Sequence, residues 1–232
     1  MARPSAAPAP RRASLTLRDG RRLSYLLLGP GGARGAGRAP AGAPAAALHH
    51  HGWPSSSAEA AAAAGAAAAA LGLRVAAFDR PGVGGSSFDP GMSFSLVAAD
   101  AAELMDALGL ESAAQIGTSG GAPHAAALGY ALMGRLPAPL SRLGLAAAAA
   151  AARPLLAPLA WAAAARTADI RLTCSPWHEF DLSAITQPTL VIRGASDACV
   201  THGMALHLAE RIPGAARPEA RAAAEWLAKI TW

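Results

Sequence analysis

The sequence predicts a single α/β domain: a mostly parallel sheet with helices on both faces, entered through an antiparallel hairpin. Three observations carry this. Short apolar runs suited to buried strands alternate with helix-forming runs, an order that gives parallel pairing through right-handed crossovers. Several of those strands run directly into Gly-containing turns. The chain of 232 residues is long enough for one domain with a sizeable core. That core is built from small side chains, since the sequence is 53% apolar but only 5% aromatic.

Ser14-Leu15-Thr16-Leu17 alternates, Asp19-Gly20 supplies a turn, and Leu23-Ser24-Tyr25-Leu26 alternates again, which reads as a β-hairpin. Residues 29–44 are a Gly/Ala/Pro/Arg loop without periodicity. Ala46-Ala47-Leu48-His49-His50 reads as a short buried strand ending in His51-Gly52-Trp53-Pro54. Three consecutive histidines invite a metal reading, but on a strand the middle one faces away from its neighbours and no Cys, Asp or Glu stands beside them. Ser55, Ser56 and Ser57 offer caps to a helix over residues 58–71, expected from propensity. Leu73 to Phe78 is the next strand. The Gly-rich loop after it lacks the third glycine of a dinucleotide fingerprint, because Ser87 stands there. Ser95 is expected to cap a helix with Val97, Leu104 and Leu108 on one face, closing at Gly109.

Ala113-Ala114-Gln115-Ile116 then leads into Gly117-Thr118-Ser119-Gly120-Gly121, and a helix is expected over residues 122–133. Strand, tight turn and helix in that order are what a nucleophile elbow requires. The serine must take a backbone conformation that L-residues resist, so its flanking positions need to be nearly free of side chain. The following helix directs its positive end at Ser119, where an oxyanion would develop in acyl transfer.

In these segments the sequence resembles the α/β-hydrolase superfamily. The match runs through the hairpin, His51-Gly52-Trp53-Pro54, Asp79-Arg80-Pro81-Gly82-x-Gly84-x-Ser86, the Ser119 segment to His124, and Pro188-Thr189-Leu190-Val191-Ile192-Arg193-Gly194-Ala195-Ser196-Asp197, spanning residues 14–213. The resemblance implies Ser119 as nucleophile, with the backbone N–H groups of Gly120 and Trp53 as oxyanion hole beside Gly52. It implies Asp197 as the acid that orients a histidine. It also implies a small-molecule acyl substrate and no cofactor or metal. The loop after the His51 strand resembles that of epoxide hydrolases, but those use an aspartate where this chain has Ser119. Ester, thioester or lactone cleavage therefore fits better. His124, five residues past the serine on a helix leading away, is expected to be a packing residue.

Arg142-Leu143-Gly144-Leu145 reads as a sixth strand, and residues 152–187 as a short cap, within one domain over residues 14–232. The family continues past Ile212-Pro213-Gly214 with a last strand and a loop bearing the catalytic histidine. Here the sequence passes instead into a helix-forming run over residues 220–229, with no histidine after His207. His202 and His207 share the acid's side of the site and do not match the geometry of a triad base. Two expectations follow: an esterase-like serine hydrolase impaired by, or presented without, its His-bearing segment, or a non-catalytic relative that binds a small hydrophobic ligand or a protein partner.

Composition excludes other classes. The net charge of +5 comes almost wholly from Arg, with Lys229 the single lysine, and no aromatic–basic interleaving points to nucleic acid. No apolar run is long enough for a membrane span. Cys174 and Cys199 do not make a disulfide framework, so a reducing, cytoplasmic compartment is expected. Residues 1–13, Arg-rich and free of acids, read as a disordered tail or an organellar transit peptide. The oligomeric state is not legible.

Overall fold

The computed structural model describes residues 9–29, 46–65, 73–132, 143–147, 162–174, 177–187, 189–193 and 202–215. The strands are β1 (Arg11–Thr16), β2 (Arg22–Leu28), β3 (Ala46–His50), β4 (Arg74–Phe78), β5 (Ala114–Thr118), β6 (Leu143–Ala147) and β7 (Thr189–Arg193). They form one seven-stranded sheet in the order β1-β2-β4-β3-β5-β6-β7. β1 and β2 pair antiparallel, as do β2 and β4, and every later pairing is parallel. The α/β expectation with its entry hairpin therefore holds, and β1 begins at Arg11, ahead of the alternation that marks it in the sequence.

Among the described residues five α-helices accompany the sheet: α1 (Glu59–Ala63), α2 (Phe94–Ala107), α3 (Ala122–Ala131), α4 (Ala162–Cys174) and α5 (His202–Arg211). The central strands are covered on both faces, and their side chains alternate between two cores. Leu48, Ala76 and Phe78 pack with Val97, Ala101 and Leu104 of α2 and Leu128 of α3. Ala47, Val75 and Ala77 point the other way and meet Ala60 of α1. Each fully buried Leu or Phe of this kind contributes about 1.5–3 kcal/mol. A further core joins Ala122, Ala125 and Ala126 of α3 to Phe180, Ile185, Val191, Leu208 and Ile212, under the β7 end of the sheet.

Glycine decides how closely α3 sits on the sheet. A Cβ at Gly117 would stand 2.6 Å from the Ala122 Cα, so only glycine lets the helix begin directly over the strand it follows. Gly121 is equally constrained, because a Cβ there would run into the His50 carbonyl.

The helix starts differ from those expected. Ser93, not Ser95, caps α2, accepting the Leu96 N–H. Ser95 instead donates its hydroxyl to Glu179, whose carboxylate also takes the N–H groups of Phe94 and Ser95. Likewise α1 begins after Ala58 with no side-chain cap. Ser57 is used elsewhere: its N–H donates to the buried Asp79 carboxylate, which also ties down Gly85 and Arg12. Arg21 forks onto Asp100 at 2.9 and 2.6 Å and so fastens the hairpin to α2. The helix expected over residues 220–229, where the family would carry its last strand, lies outside the described residues, as do residues 152–161 of the expected cap.

Candidate functional site

The parallel strands β3, β4 and β5 end together, and their carboxyl ends carry the residues singled out by sequence. Ser119 opens a 3-10 turn, Ser119–Gly121, that links β5 to α3. Its φ is +50°, the only positive value at a non-glycine residue among those described. For an L-residue this conformation costs roughly 1–2 kcal/mol. It is held by the close approach of α3 to β5 described above.

Trp53 follows β3 and is a large apolar side chain left 44% exposed. Its amide nitrogen lies 3.6 Å from where a Cβ on Gly120 would stand, so the two backbones meet beside Ser119. Gly52 also stands against the serine. A Cβ there would be 3.3 Å from the Ser119 Cβ and 3.1 Å from the Thr118 carbonyl oxygen. Ser119, Gly120, Gly52 and Trp53 are thus brought together. Asp197 lies outside the described residues. The strand leading to it, β7, runs parallel to β6 and so leaves the sheet at the same edge as Ser119.

What aims the amides of the Gly52–Trp53 segment is a set of buried polar groups that sequence reasoning passed over. The Arg80 side chain donates to the His51 carbonyl at 2.7 Å and reaches the Gly52 carbonyl at 3.5 Å. The Arg80 backbone N–H donates to His51 Nε2, so the His51 proton resides on Nδ1 and is given to the Gly52 carbonyl at 2.7 Å. Both carbonyls therefore point toward Arg80 and His51. In a trans peptide the N–H points opposite to the C=O, so the N–H groups of Gly52 and Trp53 point away from that cluster. The Gly52 N–H meets the Glu59 carboxylate at 2.5 Å, while that of Trp53 is left on the Gly120 side.

The Arg80 charge is balanced from α4. Its Nε and Nη2 contact Asp169 Oδ2 of α4 at 3.1 and 2.6 Å, and Asp169 Oδ1 accepts from His124 Nε2 at 3.1 Å. His124 is indeed buried, as expected of a packing residue, but it packs as the partner of an ion pair. Burial opposes the ionised form of Asp169. The Arg80 charge and the His124 bond outweigh it and hold the carboxyl well below its usual range.

Burial pushes His124 and His49 down to about 4 and His50 to about 3, so all three are neutral near pH 7. Each consecutive histidine has its own partner: Thr118 for His49, Gln115 for His50 and Gly52 for His51. Among the described residues no three His, Cys, Asp or Glu side chains are grouped as a metal would need. Among them, too, no helix is long and apolar enough to cross a membrane. His207 is exposed on α5.

A signal for the missed residues was present. Glu59 is the only acid between Asp19 and Asp79, and Asp169 the only one between Glu111 and Glu179. In an alanine-rich chain, an isolated acid inside a helix-forming run needs a reason.

This fold with this strand-end arrangement defines a hydrolase-type α/β protein, and the comparisons give the family. The chain belongs to the α/β hydrolase fold family, whose model matches residues 48–172. It is similar to a solved esterase from Exiguobacterium antarcticum, at a TM-score of 0.67 and 18% identity over 89% of each chain. It is also similar to an enol-lactonase from Burkholderia xenovorans, at 0.68 and 19%, over 89% of this chain and 90% of that one. A bromoperoxidase from Bacillus anthracis matches at 0.68 and 19%, over 90% and 91%. Likeness at these identities shows the fold. No curated protein sequence matches the chain.

Proposed function

We propose that the protein is an esterase-like serine hydrolase that cleaves a small apolar ester, thioester or lactone through an acyl-enzyme at Ser119. The observation that carries this is the φ of +50° at Ser119, held at a strand-to-helix junction beside the Gly52–Trp53 backbone. A strained serine there presents its hydroxyl to the carboxyl edge of the sheet, where α/β folds bind ligands. Strain of this size is retained where the site uses it.

In this reading the N–H groups of Gly120 and Trp53 receive the oxyanion of the tetrahedral intermediate. Each such donor contributes about 3–4 kcal/mol to the transition state. Arg80 and His51 act at one remove, by fixing the carbonyls of the same peptides. Asp197, just past β7, is the acid of the family pattern. Serine acyl transfer of this kind calls for neither metal nor cofactor. The exposed Trp53 side chain favours an apolar acyl or alcohol portion.

The test is incubation of the purified chain with a fluorophosphonate probe and a short-chain nitrophenyl ester. Labelling and turnover, both abolished in Ser119→Ala, are expected. A chain that stays unlabelled while folded would instead be a non-catalytic relative with a ligand pocket.

A further inference from the structure

Gly52 lies so close to the serine turn that a Cβ on it would stand 3.1 Å from the Thr118 carbonyl oxygen. Glycine eases that approach, yet it is also the residue whose φ and ψ are least restrained by a side chain of its own. The next amide, that of Trp53, takes its direction from those two angles. Something other than residue 52 must therefore hold the backbone still.

The peptide that enters Gly52 is held at both ends. Its carbonyl, that of His51, accepts from the Arg80 guanidinium at 2.7 Å, and its N–H, that of Gly52, donates to Glu59 Oε2. In a trans peptide the C=O and N–H point in opposite directions, so a cation on one side and a carboxylate on the other fix its plane. Turning the plane would break both bonds. The second Glu59 oxygen, Oε1, lies 3.1 Å from the point where a Gly52 Cβ would stand, so the carboxylate lies along the residue from its N–H to its Cα. Both posts are anchored at the end of β4. Arg80 is buried in the loop there, and Glu59 opens α1 two residues after Ser57, whose N–H donates to Asp79 at 2.7 Å.

We infer that Glu59 is a positioning residue of the oxyanion hole: with Arg80 it clamps the His51–Gly52 peptide and so sets the direction of the Trp53 N–H. The inference rests on Ser119 being the nucleophile and the Trp53 N–H an oxyanion donor. In this role Glu59 neither carries a proton nor touches a reacting atom. It keeps a donor in place before charge develops, so that nothing has to reorganise as the acyl carbon becomes tetrahedral.

Arg80 alone would leave the glycine end of the peptide free to swing. A carboxylate suits that end, because a hydrogen bond to an ionised acceptor is about twice as strong as one between neutral groups. Burial raises the Glu59 carboxyl above its ordinary range, while the Gly52 N–H and the Arg80 charge act against that and favour the ionised form.

The experiment compares the wild-type chain with Glu59→Gln, Glu59→Ala and Ser119→Ala, using nitrophenyl acetate turnover and two inhibitors with the same alkyl chain. One is a trifluoromethyl ketone, to which a serine adds to leave an oxyanion. The other is the matching secondary alcohol, which binds without adding. Glu59→Ala should lower kcat/KM by about 10–100-fold and weaken the ketone by a similar factor, with alcohol binding unchanged. Gln still offers an oxygen to the Gly52 N–H, so Glu59→Gln should recover most of both losses. Glu59→Ala within about threefold of the wild type, while Ser119→Ala is dead, would overturn the Glu59 assignment and leave the serine reading standing. A loss shared equally by ketone and alcohol, as a damaged pocket would give, would overturn it as well. So would a loss that Glu59→Gln does not recover, since the lost charge would then account for it. A wild-type chain that neither turns over nor binds the ketone would remove both.

Discussion

Arg80, in the loop after β4, and Asp169, on α4, form an ion pair whose side chains are 1% and 3% exposed, with Nη2 and Oδ2 2.6 Å apart. Two charges this deeply buried are tolerated only because each is also hydrogen-bonded: Arg80 to the His51 carbonyl and Asp169 to His124. The pair joins α4 to the loop that aims the Gly52 and Trp53 amides.

Removing one partner should therefore cost far more than removing both. Asp169→Leu leaves the guanidinium buried without its counter-charge and should destabilise the fold by about 3–5 kcal/mol. Arg80→Met with Asp169→Leu should cost much less than the two single changes summed, since no buried charge remains. Urea unfolding of the four proteins gives the coupling, and additive losses would contradict the pair. The double variant should also label more slowly at Ser119, because the His51 carbonyl loses the Arg80 side chain that donates to it.

Stability should fall with pH from the histidine range downward. His49 and His124 are held at about 4 and His50 at about 3, against 6.5 when exposed, and burial is the first cause in each case. A group whose folded pKa is depressed contributes stability that is complete above the unfolded pKa and is lost as pH falls toward the folded one. Each of these histidines should then remove about 1.4 kcal/mol per pH unit between roughly 6 and 4, as the unfolded chain takes up the protons the fold refuses. His51, also pushed well below its ordinary value by burial, adds in the same direction. Urea midpoints at pH 7.5, 6.5, 5.5 and 5.0 measure this, and a flat profile would mean that the rings are solvated.

The strands were legible because their information is local. Alternation marks β1 and β2, short apolar runs mark β3 and β4, and the glycines around Ser119 follow from how closely α3 must approach β5. The helix starts were less so: Ser95 has a side chain and position suited to capping, yet its hydroxyl is drawn to Glu179 by a contact distant in sequence. The buried cluster was the least legible part. Arg80 and Asp169 are 89 positions apart, and nothing in either neighbourhood announces the other. His124 was read from its distance along the helix, which gives its direction but not its partner.

Ser119 should trade stability against chemistry. Ser119→Ala keeps a side chain at φ +50° and so keeps the strain, while Ser119→Gly releases it. The glycine variant should be more stable than the alanine variant by about 1 kcal/mol, with both inert toward the fluorophosphonate. Thermal unfolding of the two, compared directly, checks this. An alanine variant equal to or more stable than the glycine one would mean that position 119 relaxes out of the left-handed region once the hydroxyl is gone.

Gly121 allows no such freedom, and its failure would be geometric. A Cβ at this position would overlap the His50 carbonyl of β3, which is backbone within a paired strand and has nowhere to move. Gly121→Ala must lift the start of α3 off the sheet, at a cost of about 1–3 kcal/mol for overpacking. That displacement acts on the turn that holds Ser119, so the rate of fluorophosphonate labelling should fall along with the melting temperature. Ala131→Gly, at the exposed far end of the same helix, is the control: it should lower stability by no more than about 1 kcal/mol and leave labelling unchanged. Equal labelling by Gly121→Ala and the wild type would show that the serine's geometry does not depend on how closely α3 sits on β3 and β5.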